Sequence, residues 1–277
     1  MSFAEQLRVG PGFRLAEVDP DATPGLLIGK KEGEKQLAAG RPELDRLQEL
    51  LFANTGHDPR SVLLVLQAMD TAGKGGIVRH VVGAVDPQGV HIHAFKKPTP
   101  EELAHDFLWR VERELPGPGR IGVFDRSHYE DVLIGRVREL AEPSEIERRY
   151  GAIVDFEERI AASGTVIVKC MLHISADEQR TRLAERLERP DKYWKFNPGD
   201  LGERAMWGDY QEAYQLAIER TSTPTAPWYV IPANRKWYAR LAVSELLTDA
   251  LRSLAQDWPP AGFDVEEQRR ALLGAPA

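Results

Sequence analysis

The chain of 277 residues is 42% hydrophobic and 29% charged, a composition typical of a globular protein that can bury a core. No apolar run is long enough to span a membrane, the first residues lack a secretion signal, and the single Cys170 excludes an internal disulfide. The net charge of −7 is unfavourable for general binding of polyanions. We therefore expect a cytoplasmic protein without a nucleic-acid or membrane partner.

Short apolar runs alternate with amphipathic segments along most of the chain, which predicts an α/β fold with a mostly parallel sheet. Five strands are predicted, at residues 62–66, 90–95, 121–124, 165–172 and 228–231. Helices are predicted at residues 33–54, 74–85, 100–114, 144–162, 176–187, 199–221 and 237–258. Pro42 predicts a break in the first helix, which leaves its main part at 42–54.

The first motif follows the first strand and reads Ala-Met-Asp-Thr-Ala-Gly-Lys-Gly-Gly from Ala68 to Gly76. A glycine-rich turn that ends in Gly-Lys is typical of a phosphate-binding (Walker A) loop, although Ala68 replaces the first glycine and Gly75 replaces the usual Ser or Thr. Without that hydroxyl group, Asp70 is the candidate ligand for Mg²⁺. A plain strand-turn-helix corner remains the alternative.

The second motif is Phe-Asp-Arg-Ser-His-Tyr-Glu-Asp at residues 124–131, at the end of the third predicted strand. Open α/β sheets bind ligands at this edge, and an acidic residue there is typical of a Walker B position. Asp125 is therefore a candidate metal ligand and Arg126 a candidate phosphate ligand. The alternatives are that Asp125 caps the following helix and that Arg126 forms a surface ion pair. His128 is a candidate to orient Asp125 or a phosphate.

A third segment, residues 186–196, is predicted to be a lid, because Pro190 interrupts the helix before it and cations alternate with aromatic residues. The cations would bind phosphate and the aromatic rings would stack on a base, whereas a loop pinned to the core by Trp194 and Phe196 is the alternative.

Together these features predict a three-layer αβα domain of the P-loop kinase type, with a mostly parallel five-stranded sheet and a helical lid. The domain is predicted to span residues 36–258, including the lid at about 186–200. Residues 1–35 contain several prolines and glycines and are predicted to form an N-terminal arm. Residues 259–277 are predicted to be a loose C-terminal tail.

The motifs at 67–76, 124–132 and 186–196 resemble the polyphosphate kinase 2 family, and residues 221–234 are similar to it as well. They keep the order of the family and cover most of the chain. Among its members, the chain most resembles class III, which acts on both nucleoside mono- and diphosphates. Two positions depart from the pattern: many relatives have Asn at the position of Asp125, and many class III members have Asp at that of Gly75.

The resemblance implies reversible, Mg²⁺-dependent transfer of the terminal phosphoryl group of inorganic polyphosphate to AMP or ADP, or to GMP or GDP, with ADP or ATP formed from the adenine nucleotides. It also implies that Mn²⁺ can replace Mg²⁺ and that the chain assembles into a homo-oligomer, a dimer or a tetramer. An ATP-dependent nucleoside monophosphate kinase is the alternative, although such enzymes normally have the first glycine and a Ser or Thr after the lysine. A nucleotide-binding module without catalysis is a further alternative.

The predicted site residues fall into four groups. The catalytic group is Asp70, Lys74, Asp125, Arg126 and Arg186. The phosphate-binding group is Ala72, Gly73, Lys74, Gly75, Gly76, Arg79, Arg126 and Arg136. The nucleotide-binding group is Arg186, Arg189, Lys192, Trp194, Lys195 and Phe196. The metal ligands are Asp70, Asp125 and Asp131. The histidine spacing, including that of His91 and His93, predicts no zinc site, because no third ligand is evident.

Overall fold

The computed structural model describes residues 2–274 and contains one sheet of five parallel strands in the order β2-β3-β1-β4-β5. The strands are β1 (Ser61–Ala68), β2 (Val90–Ala94), β3 (Ile121–Asp125), β4 (Thr165–His173) and β5 (Trp228–Pro232). The five predicted strands and the α/β fold are confirmed. These strands could be recognised in the sequence because the interior strands of a parallel sheet are buried on both faces and therefore appear as continuous apolar runs.

Twelve α-helices lie within residues 2–274. The first six are α1 (Phe3–Leu7), α2 (Lys30–Ala53), α3 (Lys74–His80), α4 (Pro100–Leu103), α5 (Trp109–Glu112) and α6 (Ile134–Val137). The others are α7 (Pro143–Ala162), α8 (Ala176–Glu188), α9 (Gly199–Ala205), α10 (Trp207–Thr221), α11 (Lys236–Ser253) and α12 (Val265–Gly274). The region predicted to be a loose tail thus contains a helix, α12, whose residues are all exposed.

The core has two parts, one on each face of the sheet. Leu64 and Leu66 of β1 pack on one face with residues of α2, α3 and α11. Leu63 and Val65, which alternate with them along the strand, pack on the other face with residues of α7 and α10. The central strand is therefore covered on both sides, and its carboxyl end carries the first motif.

Five helix predictions were wrong in detail. The helix predicted at 74–85 ends at His80, and the one predicted at 237–258 ends at Ser253. α2 continues through Pro42, because its buried leucines pack lengthwise against α11, and at Gly33 an added Cβ would meet the ring of Trp237 at 2.2 Å. The helix predicted at 100–114 is two short helices, separated by a turn in which Asp106 accepts the backbone N–H of Leu108. The helix predicted at 199–221 is interrupted at Met206.

Within residues 2–274, none of the helices combines the length and the apolar character needed to cross a bilayer.

Candidate phosphate-transfer site

The loop after β1 turns sharply into α3 and brings Lys74 back over the end of the strand. Its Nζ atom donates a hydrogen bond to the carbonyl oxygen of Ala68 at 3.1 Å. Gly73, the residue before the helix, has a φ of 122°, a left-handed value that favours glycine, and Thr71 has a φ of 67°. The loop therefore presents backbone N–H groups and an ammonium group at the carboxyl edge of the sheet, where phosphate oxygens can bind.

Arg182 of α8 holds this loop in shape. Its guanidinium group donates to the carbonyl oxygens of Thr71 at 3.0 Å and Ala72 at 2.8 Å. It also donates to the carbonyl oxygens of Ala233 and Asn234, after β5, at 2.7 and 2.9 Å. With only 4% of its side chain exposed, Arg182 joins the loop rigidly to the far side of the sheet.

The second motif meets the loop through opposite charges. Asp125, the last residue of β3, lines the same cavity as Lys74. Arg126 follows with a φ of 65°, a conformation that costs a non-glycine residue on the order of 1–2 kcal/mol. Its Nη2 atom lies 3.0 Å from Oδ1 of Asp70. The strained backbone thus places the guanidinium group beside the loop carboxylate.

Glu130 adds a further charge to this group. Its carboxylate accepts a hydrogen bond from Nε2 of Gln67 at 3.2 Å and lies 3.8 Å from Nη1 of Arg126. Burial raises the pKa of Glu130, and the charges of Arg126 and Lys74 oppose that rise. Burial, followed by the charge of Arg126, lowers the pKa of Lys74, while the carboxylates of Asp70 and Asp125 oppose this decrease. The site therefore balances cations against carboxylates at close range.

Asp70, Lys74, Asp125 and Arg126 line one cavity of about 550 Å³, which is strongly basic. Its three carboxylates belong to Asp70, Asp125 and Glu185. Its ten cationic side chains are Lys74, Arg79, Arg126, Arg182, Arg186, Arg189, Lys192, Lys195, Lys236 and Arg240. Although the whole chain has a net charge of −7, a cavity lined in this way concentrates positive potential where a polyanion would bind. A larger cavity of about 1380 Å³, between the N-terminal segment and α10, contains no residue of the motifs at 67–76, 124–132 and 186–196.

The lid segment lies over one side of this basic cavity. Arg186 donates a hydrogen bond to the carbonyl oxygen of Lys195 at 2.9 Å and lies 3.6 Å from Asp200. Trp194 is 78% exposed, and the ammonium group of Lys195 lies 4.9 Å from the centroid of its ring. Trp194 therefore does not pin the loop to the core. Neither it nor Phe196 lines the cavity.

Besides Trp194 and Phe196, two further predicted site residues, Asp131 and Arg136, do not line the cavity. Successive residues of the 3₁₀ turn His128–Asp131 face different directions, so that Asp131 lies between Arg149 at 3.3 Å and Arg110 at 3.5 Å. Arg136 pairs with Glu212 of α10 at 3.2 Å. Both side chains thus have partners elsewhere, and we assign neither a role at the cavity.

A buried polar cluster lies behind the second motif. Nζ of Lys169 lies 2.6 Å from the carboxylate of Glu157 and 2.9 Å from the hydroxyl group of Tyr129. His128 was a candidate to orient Asp125 or a phosphate, but its Nε2 atom lies 3.2 Å from Glu157 and the side chain is fully buried. The cluster therefore supports the motif from the protein interior.

Several residues that line or support the cavity were not predicted from the sequence. Glu130 lies inside the second motif, and Arg182 precedes Arg186 by four residues on one helix, a spacing that places both on the same face. The place of Glu130 within the motif and the helical spacing of Arg182 could have identified these two residues from the sequence. Lys236 and Arg240 lie at the start of α11, outside all the motifs, and the sequence contains no comparable signal for them.

Comparison with known proteins identifies this arrangement. Residues 27–258 match the family model of Polyphosphate kinase 2. The chain belongs to the polyphosphate kinase 2 family. AMP/ADP-polyphosphate phosphotransferase of Meiothermus ruber is 48% identical over 257 residues, which are 92% of this chain and 95% of the relative. ADP-polyphosphate phosphotransferase of Rhodopseudomonas palustris is 42% identical over 92% of each chain.

A solved structure agrees with this family assignment. The crystal structure of polyphosphate kinase 2 from Arthrobacter aurescens has 58% sequence identity and a TM-score of 0.97, and the match covers 99% of this chain and 98% of the other. The family resemblance predicted from the motifs is therefore confirmed, as is the α/β fold of a polyphosphate kinase 2.

Proposed function

We propose that this protein transfers the terminal phosphoryl group of inorganic polyphosphate to AMP and ADP, forming ADP and ATP. The observation that carries the proposal is the single basic cavity in which Lys74, Asp70, Asp125 and Arg126 meet. Two relatives are named for polyphosphate transfer with AMP and ADP or with ADP. Because a phosphoanhydride is broken and another is formed, the reaction is reversible. Class III membership, with both mono- and diphosphate acceptors, is part of the proposal.

Positioning and charge neutralisation are sufficient for this chemistry. The attacking oxygen belongs to the terminal phosphate of the acceptor, whose second pKa is about 6, so that it is largely ionised at neutral pH without a general base. The transferred group develops charge on its equatorial oxygens, and Lys74 of the loop and Arg126, which lies beside Asp70, would neutralise it. Arg186 would add positive charge from the lid. Each of these groups acts by holding the two phosphate chains end to end.

The residues of the cavity fit a magnesium ion. Asp70 and Asp125 offer carboxylate oxygens, the ligands that Mg²⁺ prefers, on the same cavity as Lys74. Gly75 offers no hydroxyl group after the lysine, so a carboxylate takes over that role. A bound Mg²⁺ would neutralise phosphate charge, and Mn²⁺, which also accepts oxygen ligands, is expected to replace it.

The lid would bind the nucleotide. Arg186, Arg189, Lys192 and Lys195 line the cavity and can contact its phosphates. The indole of Trp194 is largely exposed and offers a flat surface on which a base can stack. Phe196, two residues further along the same segment, is assigned to the same subsite.

The decisive experiment supplies AMP or ADP with long-chain polyphosphate and Mg²⁺ in the absence of ATP, and then separates the products. Formation of ADP from AMP and of ATP from ADP is expected, and GMP and GDP in parallel reactions define the base preference. ADP formation from AMP only when ATP is added would contradict the proposal and identify a nucleoside monophosphate kinase. Nucleotide binding without transfer to any acceptor would identify a binding module.

Lys74→Ala tests the assignment within the cavity. Turnover is expected to fall by about two orders of magnitude or more, because the variant removes a cation from the transferred group. Lys35→Ala is the matched control, since Lys35 lies on α2 and 77% of its side chain is exposed. Circular dichroism confirms that both variants are folded. Near-normal turnover of Lys74→Ala would remove Lys74 from the chemistry.

The proposal also keeps the expectations of a cytoplasmic homo-oligomer, a dimer or tetramer, and of no nucleic-acid or membrane partner. Light scattering after size-exclusion chromatography measures the mass of the assembly.

A further inference from the structure

Two histidines and a glutamate meet on the edge strand β2, outside the basic cavity. Nε2 of His91 and Nδ1 of His93 each lie 2.9 Å from Oε2 of Glu114. Alternation along the strand places His91 and His93 on one face, and Glu114 comes from the connection between α5 and β3, 23 residues after His91. The three ligand atoms all lie within 4.8 Å of one another. The fold therefore supplies the third ligand that the sequence did not reveal.

We propose that His91, His93 and Glu114 bind one first-row transition metal ion, with Zn²⁺ as the cellular candidate. Imidazole nitrogen and carboxylate oxygen are ligands typical of zinc, whereas Mg²⁺ prefers oxygen alone. Bonds of about 2.0–2.1 Å in a tetrahedral site put ligand atoms about 3.3 Å apart, which small side-chain rotations achieve from the observed separations. This site is chemically distinct from the carboxylates beside Lys74.

The surroundings of the cluster suit a metal with an open coordination position. The ring of His93 packs against Phe95 with centroids 4.4 Å apart, and Phe95 is buried against the ring of Phe124. This packing fixes the orientation of one imidazole ligand. The side chains of His91, His93 and Glu114 nevertheless remain 40%, 33% and 28% exposed. A metal ion therefore has a path of entry, and water can complete its coordination.

Metal binding would join the edge strand to the segment that leads into β3. The alternative to a metal site is that both imidazoles simply share one carboxylate oxygen of Glu114. A metal that binds only the folded chain raises its melting temperature in proportion to the logarithm of the metal concentration. We therefore expect Zn²⁺ to raise the melting temperature of the wild-type protein.

The test titrates Co²⁺, a spectroscopic substitute for Zn²⁺, into tag-free protein without polyphosphate and in excess Mg²⁺, which occupies the carboxylates of the cavity. One equivalent is expected to bind with the visible absorption of nitrogen coordination. The double variant His91→Gln/His93→Gln is expected to bind at least about 10-fold more weakly. His57→Gln is the matched control, because His57 is exposed in the loop before β1. Equal Co²⁺ affinity in the wild type and the double variant would overturn the proposal.

A second measurement needs no variant and so remains valid if the double variant fails to fold. The electron paramagnetic resonance spectrum of the wild-type protein with one equivalent of Cu²⁺ is expected to show coupling to two nitrogen atoms. A spectrum without nitrogen coupling would overturn the proposal. Glu114→Gln, which keeps both imidazoles, is expected to weaken Co²⁺ binding while nitrogen coupling persists at saturating Cu²⁺. Unchanged Co²⁺ affinity in this variant would exclude Glu114 as a ligand.

Discussion

Replacement of Arg182 by lysine tests whether the shape of the phosphate loop depends on this one buried guanidinium group. The variant keeps the positive charge but loses the planar fork that reaches four carbonyl oxygens on two chain segments. An ammonium group on a shorter side chain can reach one pair of these carbonyls, but it cannot reach both pairs. Two acceptors therefore lose a charged donor in a position where only 4% of the arginine side chain is exposed.

The magnitude follows from those two acceptors. A hydrogen bond to a charged group contributes about 1.5–3 kcal/mol, so two lost bonds lower the free energy of unfolding by about 3–6 kcal/mol before water recovers part of it. We expect about 3 kcal/mol, which leaves most domains folded, since their total stability is about 5–15 kcal/mol. Turnover is expected to fall by about 100-fold, because a displacement of about 1 Å in the loop misplaces the phosphoryl group.

Urea unfolding and initial rates of polyphosphate-dependent ADP formation measure the two effects. Arg180→Lys is the control, since it lies on the same helix and 70% of its side chain is exposed in an ion pair with Asp177. It is expected to change the free energy of unfolding by less than about 0.5 kcal/mol. If the free energy of unfolding of Arg182→Lys lies within about 1 kcal/mol of the wild-type value and its turnover is unchanged, the shape of the loop does not depend on Arg182.

Three further predictions concern buried groups and backbone strain. Lys169→Met is expected to lower the free energy of unfolding by about 3–5 kcal/mol because buried Glu157 loses its ammonium partner and keeps only the contacts of His128 and Tyr129. A double-mutant cycle with Glu157→Gln should show a combined loss smaller than the sum of the single losses, whereas additive losses would contradict the coupling. Burial lowers the pKa of His173 from 6.5 to about 4, so the native state keeps it neutral while the unfolded state is protonated. Titration of His173 should therefore lower the stability by about 3 kcal/mol between pH 6.5 and about 4, and urea unfolding at both pH values should show a loss that is larger by about this amount in the wild type than in His173→Gln. Gly73→Ala is expected to lower the free energy of unfolding, measured in urea, by about 1–3 kcal/mol, because the φ of Gly73 is 122°. Gly75→Ala should lower it less, because an added Cβ at Gly75 meets no atom within 4 Å. Equal losses in the two variants would exclude backbone strain at Gly73.

The strands and the two phosphate motifs could be predicted from the sequence because their signals are local. A parallel interior strand is a continuous apolar run. The motif residues lie at or shortly after the carboxyl ends of β1 and β3, namely Asp70 and Lys74 after β1, Asp125 at the end of β3 and Arg126 after it. The carboxyl ends of neighbouring parallel strands necessarily meet, so the topology alone brings these residues to one edge.

The remaining features depend on contacts between distant segments. Pro42 stays inside α2 because packing against α11 outweighs the lost backbone hydrogen bond. Asp131 and Glu130 are adjacent in the sequence, but the turn that contains them sends one to Arg149 and the other to Arg126. A motif identifies which residue types are present, whereas the direction of each side chain is set by the packing of elements that the motif does not include.

Backbone strain connects the site to its buried supports. Among residues 2–274, four non-glycine residues have a positive φ, and two of these, Thr71 and Arg126, lie on the loops that meet at the cavity. Such residues persist only where their surroundings hold them firmly. Arg182 binds the carbonyl oxygen of Thr71, and the chain three residues after Arg126 is anchored by the hydroxyl group of Tyr129 in the cluster around Lys169. The fold therefore places its buried cations where the two strained loops need support, and the exposed cations of the cavity remain available for phosphate.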